Sequence, residues 1–537
     1  MVDGKPTLEA ALRSRLAGLA SFAGGPRRQD LTVRLAQAAD VTTAADALCA
    51  AGLSLATLVA TDESRTAEHD FKVRYIFEPT GGLDDIFVTL LVPLDAARPE
   101  LPSICPRVPS ANWHEREAQD MFGIVFRDHP EGRPLVLHDG WPQGLFPLRK
   151  GFVAHERRAV EPAEEFPHLV VEGEGVLEVP VGPIHAGIIE PGHFRFSTVG
   201  ESVLHLEARL FYTHRGLEKR IEGLTVADGF FVAERMCGVC SVAHGLGFCE
   251  AAEQIAEIEV PGRARALRTL ALELERLYNH AGDLGNLCAG ASYHYGTSAG
   301  LRMKETLQQL GERLTGNRCL RGLLTPGGVN RDLAPELAQA IETALAATTV
   351  GLDDLLERIE NNPSVIDRLD TTGILPLEDA VALGVTGVAA RASGVDRDAR
   401  RDHPHGAYGS TSDLAVTVPT LTDGDVHARL GLRVLEARES IRLIRLLVSS
   451  LPPGPLRTAM PATLPAWGTG LAAIESPRGA AIHWLRTDAG GHIDRYHLRS
   501  ASYANWPAVP LAAKHAIIPD FPLVNKSFEL CYSCTDR

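Results

Sequence analysis

The segment Glu234-Arg235-Met236-Cys237-Gly238-Val239-Cys240-Ser241-Val242-Ala243-His244 carries the densest chemistry in the chain. Two thiols three residues apart can face one metal ion, and the glycine between them lets the backbone turn tightly. By itself a Cys-x-x-Cys fits half of a zinc site, a redox dithiol or chance. A second pair, Cys531-Tyr532-Ser533-Cys534, stands close to the end of the sequence. Small zinc modules keep their four ligands near one another in the chain, whereas these pairs bracket a long stretch. A site using both pairs assembles only when that whole stretch folds. Four thiolates form a soft ligand set, suited to Ni, Fe, Zn or Cu(I) and not to Mg or Ca. Spacing alone leaves structural zinc, inert thiols and a redox metal open.

Working outward from the first pair, residues 176–537 read as one large unit. It opens with strand-like segments around Phe194 and Leu204, and then helices dominate. Helical periodicity predicts elements over 264–286, 335–359 and 425–449. The first carries Leu267, Leu270, Leu274 and Leu277 on one face, and the second starts at Pro335, where a missing N–H costs nothing. Residues 1–150 mix helical patterns (7–19, 41–53) with strand-like runs (53–59, 71–77, 86–92), which predicts a small α+β domain. Residues 151–175, with Glu161-Pro162-Ala163-Glu164-Glu165, read as a linker. The fold class is therefore α+β: a small N-terminal α+β domain and a large, mainly helical second domain, with no internal repeat.

The chain has 537 residues, 45% of them hydrophobic, and a formal net charge of −15. That length suggests about two to four domains, and the acidic balance excludes a nucleic-acid platform. No apolar stretch is long and uncharged enough for a transmembrane helix; the best, 373–390, carries Glu378 and Asp379. The N-terminus lacks the basic and apolar regions of a signal peptide, and Arg27-Arg28 reads as a surface pair. Nine cysteines, an odd count, argue for reduced thiols; the five outside the two pairs are expected to be buried small hydrophobes. Asp402-His403-Pro404-His405-Gly406 reads as a loop. Residues 317–330 lack the Lys-Ser/Thr ending of a phosphate loop. No Gly-x-Gly-x-x-Gly follows a strand, so no nicotinamide or flavin site is indicated.

Several segments now combine. Arg235-x-Cys237-Gly238-x-Cys240-x-x-x-His244 with Cys531-x-x-Cys534 resembles the paired cysteine motifs of [NiFe]-hydrogenase large subunits. Gly182-Pro183-Ile184-His185, Glu190-Pro191-Gly192-His193-Phe194-Arg195, Arg215-Gly216-Leu217-Glu218-Lys219 and Glu475-Ser476-Pro477-Arg478-Gly479 resemble further blocks of that family, in its order. Trp113-His114-Glu115-Arg116-Glu117-Ala118-Gln119-Asp120-Met121-Phe122-Gly123-Ile124, followed by His129-Pro130, resembles the small hydrophilic subunit of respiratory complex I that adjoins its quinone-site subunit. Thr422-Asp423-Gly424-Asp425, with Arg429, Arg433 and Glu439 after it, resembles the quinone-site subunit itself. The fusion of both units is similar to group 4 [NiFe]-hydrogenase large subunits of the formate hydrogenlyase type. The complex I relative has lost the four thiolates, so their presence favours the hydrogenase branch.

The resemblance implies a catalytic large subunit of a membrane-associated, H2-evolving enzyme. It implies a Ni–Fe centre, with Cys237 and Cys531 on Ni and Cys240 and Cys534 bridging to an Fe that carries CO and cyanide. Glu190 matches a proton-passing glutamate, Arg478 an arginine over the open metal face, and His244 a histidine that hydrogen-bonds a bridging sulfur. The chemistry agrees: heterolytic splitting of H2 needs a metal to accept the electron pair and a base for the proton, and zinc carries no redox step. No cysteine set remains for an iron–sulfur cluster in this chain. The implied partners are a small subunit carrying a [4Fe–4S] cluster, other iron–sulfur subunits and integral-membrane subunits of a complex-I-like arm, on the cytoplasmic face of the membrane. The donor stays open among formate, CO and ferredoxin. The rival expectation is a scaffold subunit of a complex-I-like oxidoreductase. Glu529 stands where many family members have Asp. The sequence stops at Arg537, like a mature form, without the C-terminal His that binds an extra metal ion in other groups.

Overall fold

The computed structural model describes residues 4–81, 85–154, 156, 166–185 and 189–537. The N-terminal part begins with α1 (Gly4–Arg15) and α2 (Val41–Cys49) around a five-stranded sheet of β1 (Ala20–Gly24), β2 (Leu31–Leu35), β3 (Leu53–Asp62), β4 (Phe71–Pro79) and β5 (Val88–Leu94). The order is β1-β2-β5-β4-β3, antiparallel except for the β2–β5 pair. The short parallel pair β6 (Glu100–Pro102) and β7 (Val125–Arg127) brackets α3 (Ala111–Phe122). Gly123, at φ 69°, ends α3 in the left-handed conformation that glycine adopts without cost.

A three-stranded antiparallel sheet follows, β8 (Val176–Val181), β9 (His193–Val199) and β10 (Ser202–Arg209). The expected linker is described at 151–154, 156 and 166–175, and Glu161-Pro162-Ala163-Glu164-Glu165 lies outside the described residues. Helices then dominate: α4 (Leu217–Ile221), α5 (Val226–Ala233), α6 (Ser241–Ile255), α7 (Gly262–Gly290), α8 (His294–Thr315) and, after the hairpin β11 (Leu324–Thr325) and β12 (Gly328–Val329), α9 (Pro335–Glu360). Four short helices, α10 (Pro363–Leu369), α11 (Leu377–Ala382), α12 (Gly387–Ala392) and α13 (Ala399–Asp402), lead to α14 (Val426–Ser449). Asp425 caps α14 by accepting the Ala428 N–H at 2.8 Å.

Among the elements that the sequence patterns missed, with β1, β2 and α8, is the sheet of β13 (Thr469–Ser476), β14 (Gly479–Thr487) and β15 (Ile493–Arg499). Its strands are almost wholly buried. Period-2 alternation, which marks a half-exposed strand, is therefore absent. The chain closes through α15 (Ala501–Asn505), α16 (Val509–Ala513), α17 (Phe521–Phe528) and α18 (Tyr532–Asp536).

Helix α6 carries the first cysteine pair at its start and lies on this third sheet. The approach is glycine-close: a Cβ on Gly470 would sit 2.0 Å from the Ala251 carbonyl oxygen, and one on Gly247 would sit 2.3 Å from the His483 ring. The side chains of the N-terminal sheet also share one apolar core with Phe194, Phe196, Leu206, Trp506 and Phe528 of the second part. Three cysteines outside the pairs, Cys105, Cys249 and Cys288, are buried as expected, but Cys49 is exposed and Cys319 half-buried. Cys49 is the last residue of α2, and Cys319 lies in the turn after α8.

Overpacking a close contact of this kind costs about 1–3 kcal/mol. Gly470→Ala is expected to lower the thermal unfolding midpoint of the matured protein. A midpoint equal to wild type would show that α6 can step back from the sheet freely.

Candidate metal centre

Each cysteine pair is shaped by its own backbone. Cys237 Sγ accepts the Cys240 N–H at 3.1 Å, and Cys531 Sγ accepts the Cys534 N–H at 3.4 Å. Cys240 is the N-cap of α6, and Cys531 is the N-cap of α18. Each pair therefore places its first sulfur on the N–H of its second cysteine at a helix start.

The fold brings the two pairs together. Cys534 Sγ lies 2.9 Å from Cys237 Sγ. Cys237, Cys240, His244 and Cys534, all buried, present ligand atoms within 4.8 Å of one another. Metal–sulfur bonds of about 2.3 Å allow sulfurs on one ion to be at most about 4.6 Å apart, so this spacing suits shared ligation. His244 Nε2 lies 3.3 Å from Cys534 Sγ. Cys531, half-buried, completes the set and hydrogen-bonds with Cys237 and Cys534.

Electrostatics show what the cluster needs. Thiol hydrogen bonds from Cys237 and Cys534 push Cys240 down to about 6 against burial. Bonds to Cys237, Cys240 and Cys531 push Cys534 far up. Without a cation the sulfurs share protons, because like charges in one buried pocket cannot all ionise. A multiply charged metal ion removes that conflict, so the donor set fits one or two soft metals.

The surroundings are built from α7. Glu275 accepts the N–H groups of Val242 and Ala243 at 2.7 and 3.0 Å, fixing the start of α6; burial raises its carboxyl to about 8. Asn279 donates to the Val239 carbonyl at 2.9 Å. Asp283 holds Arg478 by a two-pronged contact of 2.5 and 2.9 Å and Arg433 at 3.3 Å. Asn286 donates to Glu529 at 2.5 Å. Burial, with the Asp283 charge behind it, lifts Glu529 to about 7. Arg478 is buried and close enough to Cys240 for that thiol to raise its pKa further.

The sequence reading missed Glu275, Asn279, Asp283 and Asn286, which form a polar stripe at helical spacing inside an otherwise buried helix. It quoted Arg215 only as part of a motif. One Arg215 nitrogen donates to both Met236 O (2.7 Å) and Ser533 O (3.0 Å), tying the two cysteine segments together. Glu190 is partly exposed and accepts from Ser533 N–H at 2.8 Å and from the Ser533 hydroxyl. The proton-relay candidate is thus anchored between the two terminal cysteines.

Comparisons with known proteins show the family. Residues 33–158 match the respiratory-chain NADH dehydrogenase 30 Kd subunit model, and residues 295–468 and 459–537 match the 49 Kd subunit model. Residues 215–289, with the first cysteine pair, match the nickel-dependent hydrogenase model. Formate hydrogenlyase subunit 5 of Escherichia coli (strain K12) is 35% identical over 90% of this chain and 84% of its own length. The chain belongs to the group 4 [NiFe]-hydrogenase large subunits of the formate hydrogenlyase type. Hydrogenase-4 component G of the same organism is 34% identical over 89% of this chain and 82% of its own. A solved structure of the membrane-bound sulfane sulfur reductase, an archaeal respiratory membrane complex, superposes with a TM-score of 0.64 at 26% identity, covering 68% of this chain and 99% of that one. This hydrogenase subunit is therefore an enzyme of a nickel-dependent family, and its clustered cysteines could hold a Ni–Fe centre.

Cys237→Ser and Cys534→Ser are expected to lower nickel to background in natively matured protein, read by elemental analysis. Cys249→Ser, on α6 but outside the cluster, is expected to keep wild-type nickel. Full nickel in Cys534→Ser would remove the second pair from the centre.

Proposed function

We propose that this subunit reduces protons to H2, reversibly, at a nickel–iron pair held by Cys237, Cys240, Cys531 and Cys534. Cys237 and Cys531 would hold the nickel alone, Cys240 and Cys534 would be shared with the iron, and CO and cyanide would complete the iron's ligands. The observation that carries the reading is the meeting of both cysteine pairs in one buried cluster whose sulfurs cannot all ionise without a cation. When bound, the metals supply the electron-pair chemistry and the single-electron steps that thiols lack.

The chain supplies the rest. Cys531 is the one residue of the four that is half-buried, and as a terminal thiolate it would serve as a base that exchanges a proton. Glu190, hydrogen-bonded to Ser533, stands against that terminal loop and reaches solvent, as a proton carrier must. Arg478 is held rigid by Asp283, keeps its charge and leaves its Nε without a partner, so it can stabilise negative charge over the centre. His244 tunes the Cys534 sulfur from 3.3 Å.

Electrons pass to partner subunits, beginning with a small subunit carrying a [4Fe–4S] cluster. The five remaining cysteines form no cluster among the described residues. Ile184 and Ile189, exposed beside Glu190, offer apolar surface for such a partner. Among the described residues no helix is long and apolar enough to cross a membrane. The name membrane-bound hydrogenase subunit alpha supports attachment to a membrane, and the name formate hydrogenlyase subunit 5 supports formate as the electron source; the face of attachment in this reading is the cytoplasmic one.

Glu190→Gln is expected to cut H2 turnover by about 10²–10⁴-fold, the usual worth of a positioned acid–base group, with nickel content unchanged. Near-wild-type turnover would sink the relay. Infrared spectra of the native complex are expected to show CO and cyanide bands together with nickel and iron. Zinc without those bands would favour a scaffold role instead.

A further inference from the structure

A second group of ionisable side chains lies apart from the thiol cluster. Glu117 of α3, Glu218 of α4 and His497 of β15 each bring one ligand atom to within 4.8 Å of the others, and all three are buried. Two carboxylates and an imidazole in this arrangement would ordinarily attract a divalent cation.

Here the chain occupies that position with a side chain of its own. Arg537 Nη2 donates to Glu117 Oε2 at 2.6 Å, and Nη1 donates to Glu218 Oε1 at 3.0 Å and to the Leu498 carbonyl at 2.8 Å. The guanidinium lies over the Tyr503 ring, 4.9 Å from its centroid. Arg495 takes the other Glu218 oxygen at 2.8 Å. His497 Nδ1 stands 3.4 Å from Glu218 Oε1, and its Nε2 lies 3.0 Å from Thr57 Oγ1. Two carboxylates are thus balanced by two guanidiniums, and a divalent ion added to the full cluster would meet net positive charge.

We propose that Arg537 is a tethered cation: its guanidinium takes the place of a metal ion in the Glu117–Glu218–His497 cluster and thereby latches the terminal cysteine segment shut. The backbone supports the latch. Arg537 donates its N–H to Ser533 O at 3.1 Å, and its carbonyl accepts the Arg215 N–H at 2.8 Å. Asp536, one residue earlier, accepts from Phe211 N–H and Thr213 N–H, both at 3.0 Å. Glu117 belongs to the N-terminal α+β part, so the contact also joins that part to the loop bearing Cys531 and Cys534. Arg537 is a positioning residue that acts through those sulfurs. The cation claim stands on the cluster alone, and the latch claim rests on the metal-centre reading above.

The test uses the natively purified complex with full-length wild type, Arg537→Ala, Arg537→Gln and Arg537→Lys. Electron paramagnetic resonance of added Mn2+ reads the vacated cluster. One Mn2+ per chain is expected in Arg537→Ala, lost again when Glu218→Gln is added, and none at this site in wild type or Arg537→Lys. Nickel release to a chelator reads the latch. Release is expected to be about tenfold faster or more in Arg537→Ala, since it strands buried carboxylates, and near wild type in Arg537→Lys. Arg537→Gln, which keeps hydrogen bonding without charge, carries both readouts if the alanine variant does not accumulate. Glu218-dependent Mn2+ in wild type would overturn the tethered cation. Unchanged nickel release in both neutral variants would overturn the latch. Absence of nickel from wild type would instead strike the metal-centre reading.

Discussion

Four sulfur atoms drawn from segments 297 residues apart in sequence share one buried volume, and negative charge gathered there has to be met by positive charge. Most of the surrounding architecture can be read as a response to that demand. Two helix starts face the sulfurs. Arg478 and Arg433 stand over Asp283, and Glu529, pushed to about 7, is free to stay neutral. Arg215 and Arg321 are spent on carbonyl oxygens of the cysteine loops, which fixes the loops without putting a cation on the thiols. The loops are thus tied through their backbones, and the positive charge that the sulfurs lack is left for a metal to bring.

The same logic extends away from the centre. Arg391 contacts Glu436, Glu475 and Asp398, and Arg400 contacts Asp398 and Glu273, all nearly sealed from solvent. Burying such pairs offers little net stability, but removing one partner costs about 3–5 kcal/mol because the other is stranded. The network therefore acts as a specification of geometry more than as a source of strength. It reaches the N-terminal sheet through His403, which lies between Glu78 and Asp85, and through Arg397 on Glu78. The His-Pro-His tract that reads as a plain loop is thus a charged joint between the two parts of the molecule.

What the sequence disclosed follows the physics of each signal. Long helices such as α7, α9 and α14 announce themselves by the helical spacing of their apolar residues, and their limits lie within a few residues of the pattern. The β13–β15 sheet stays hidden because strands buried on both sides lose alternation. Cys237, Cys240, His244, Cys531 and Cys534 were legible from motif and resemblance, and the fold draws them together. Asp283 and Glu275 were not, since a carboxylate on a buried helix stripe looks like any surface acid until the neighbouring helices are placed. Glu117 was legible only as one letter of a motif; its reason for being there, an arginine 420 residues later, is a tertiary fact.

The distance along the chain between the two cysteine pairs has a temporal meaning as well. During synthesis the first pair leaves the ribosome while the second is still unwritten, and a ring closed across nearly the whole catalytic part is costly in entropy until the intervening helices have packed. Half a ligand set with exposed thiols could trap whatever soft metal is abundant. A site that uses both pairs can close only once the intervening chain has been made and packed, so the folded shape takes part in deciding which metal is kept.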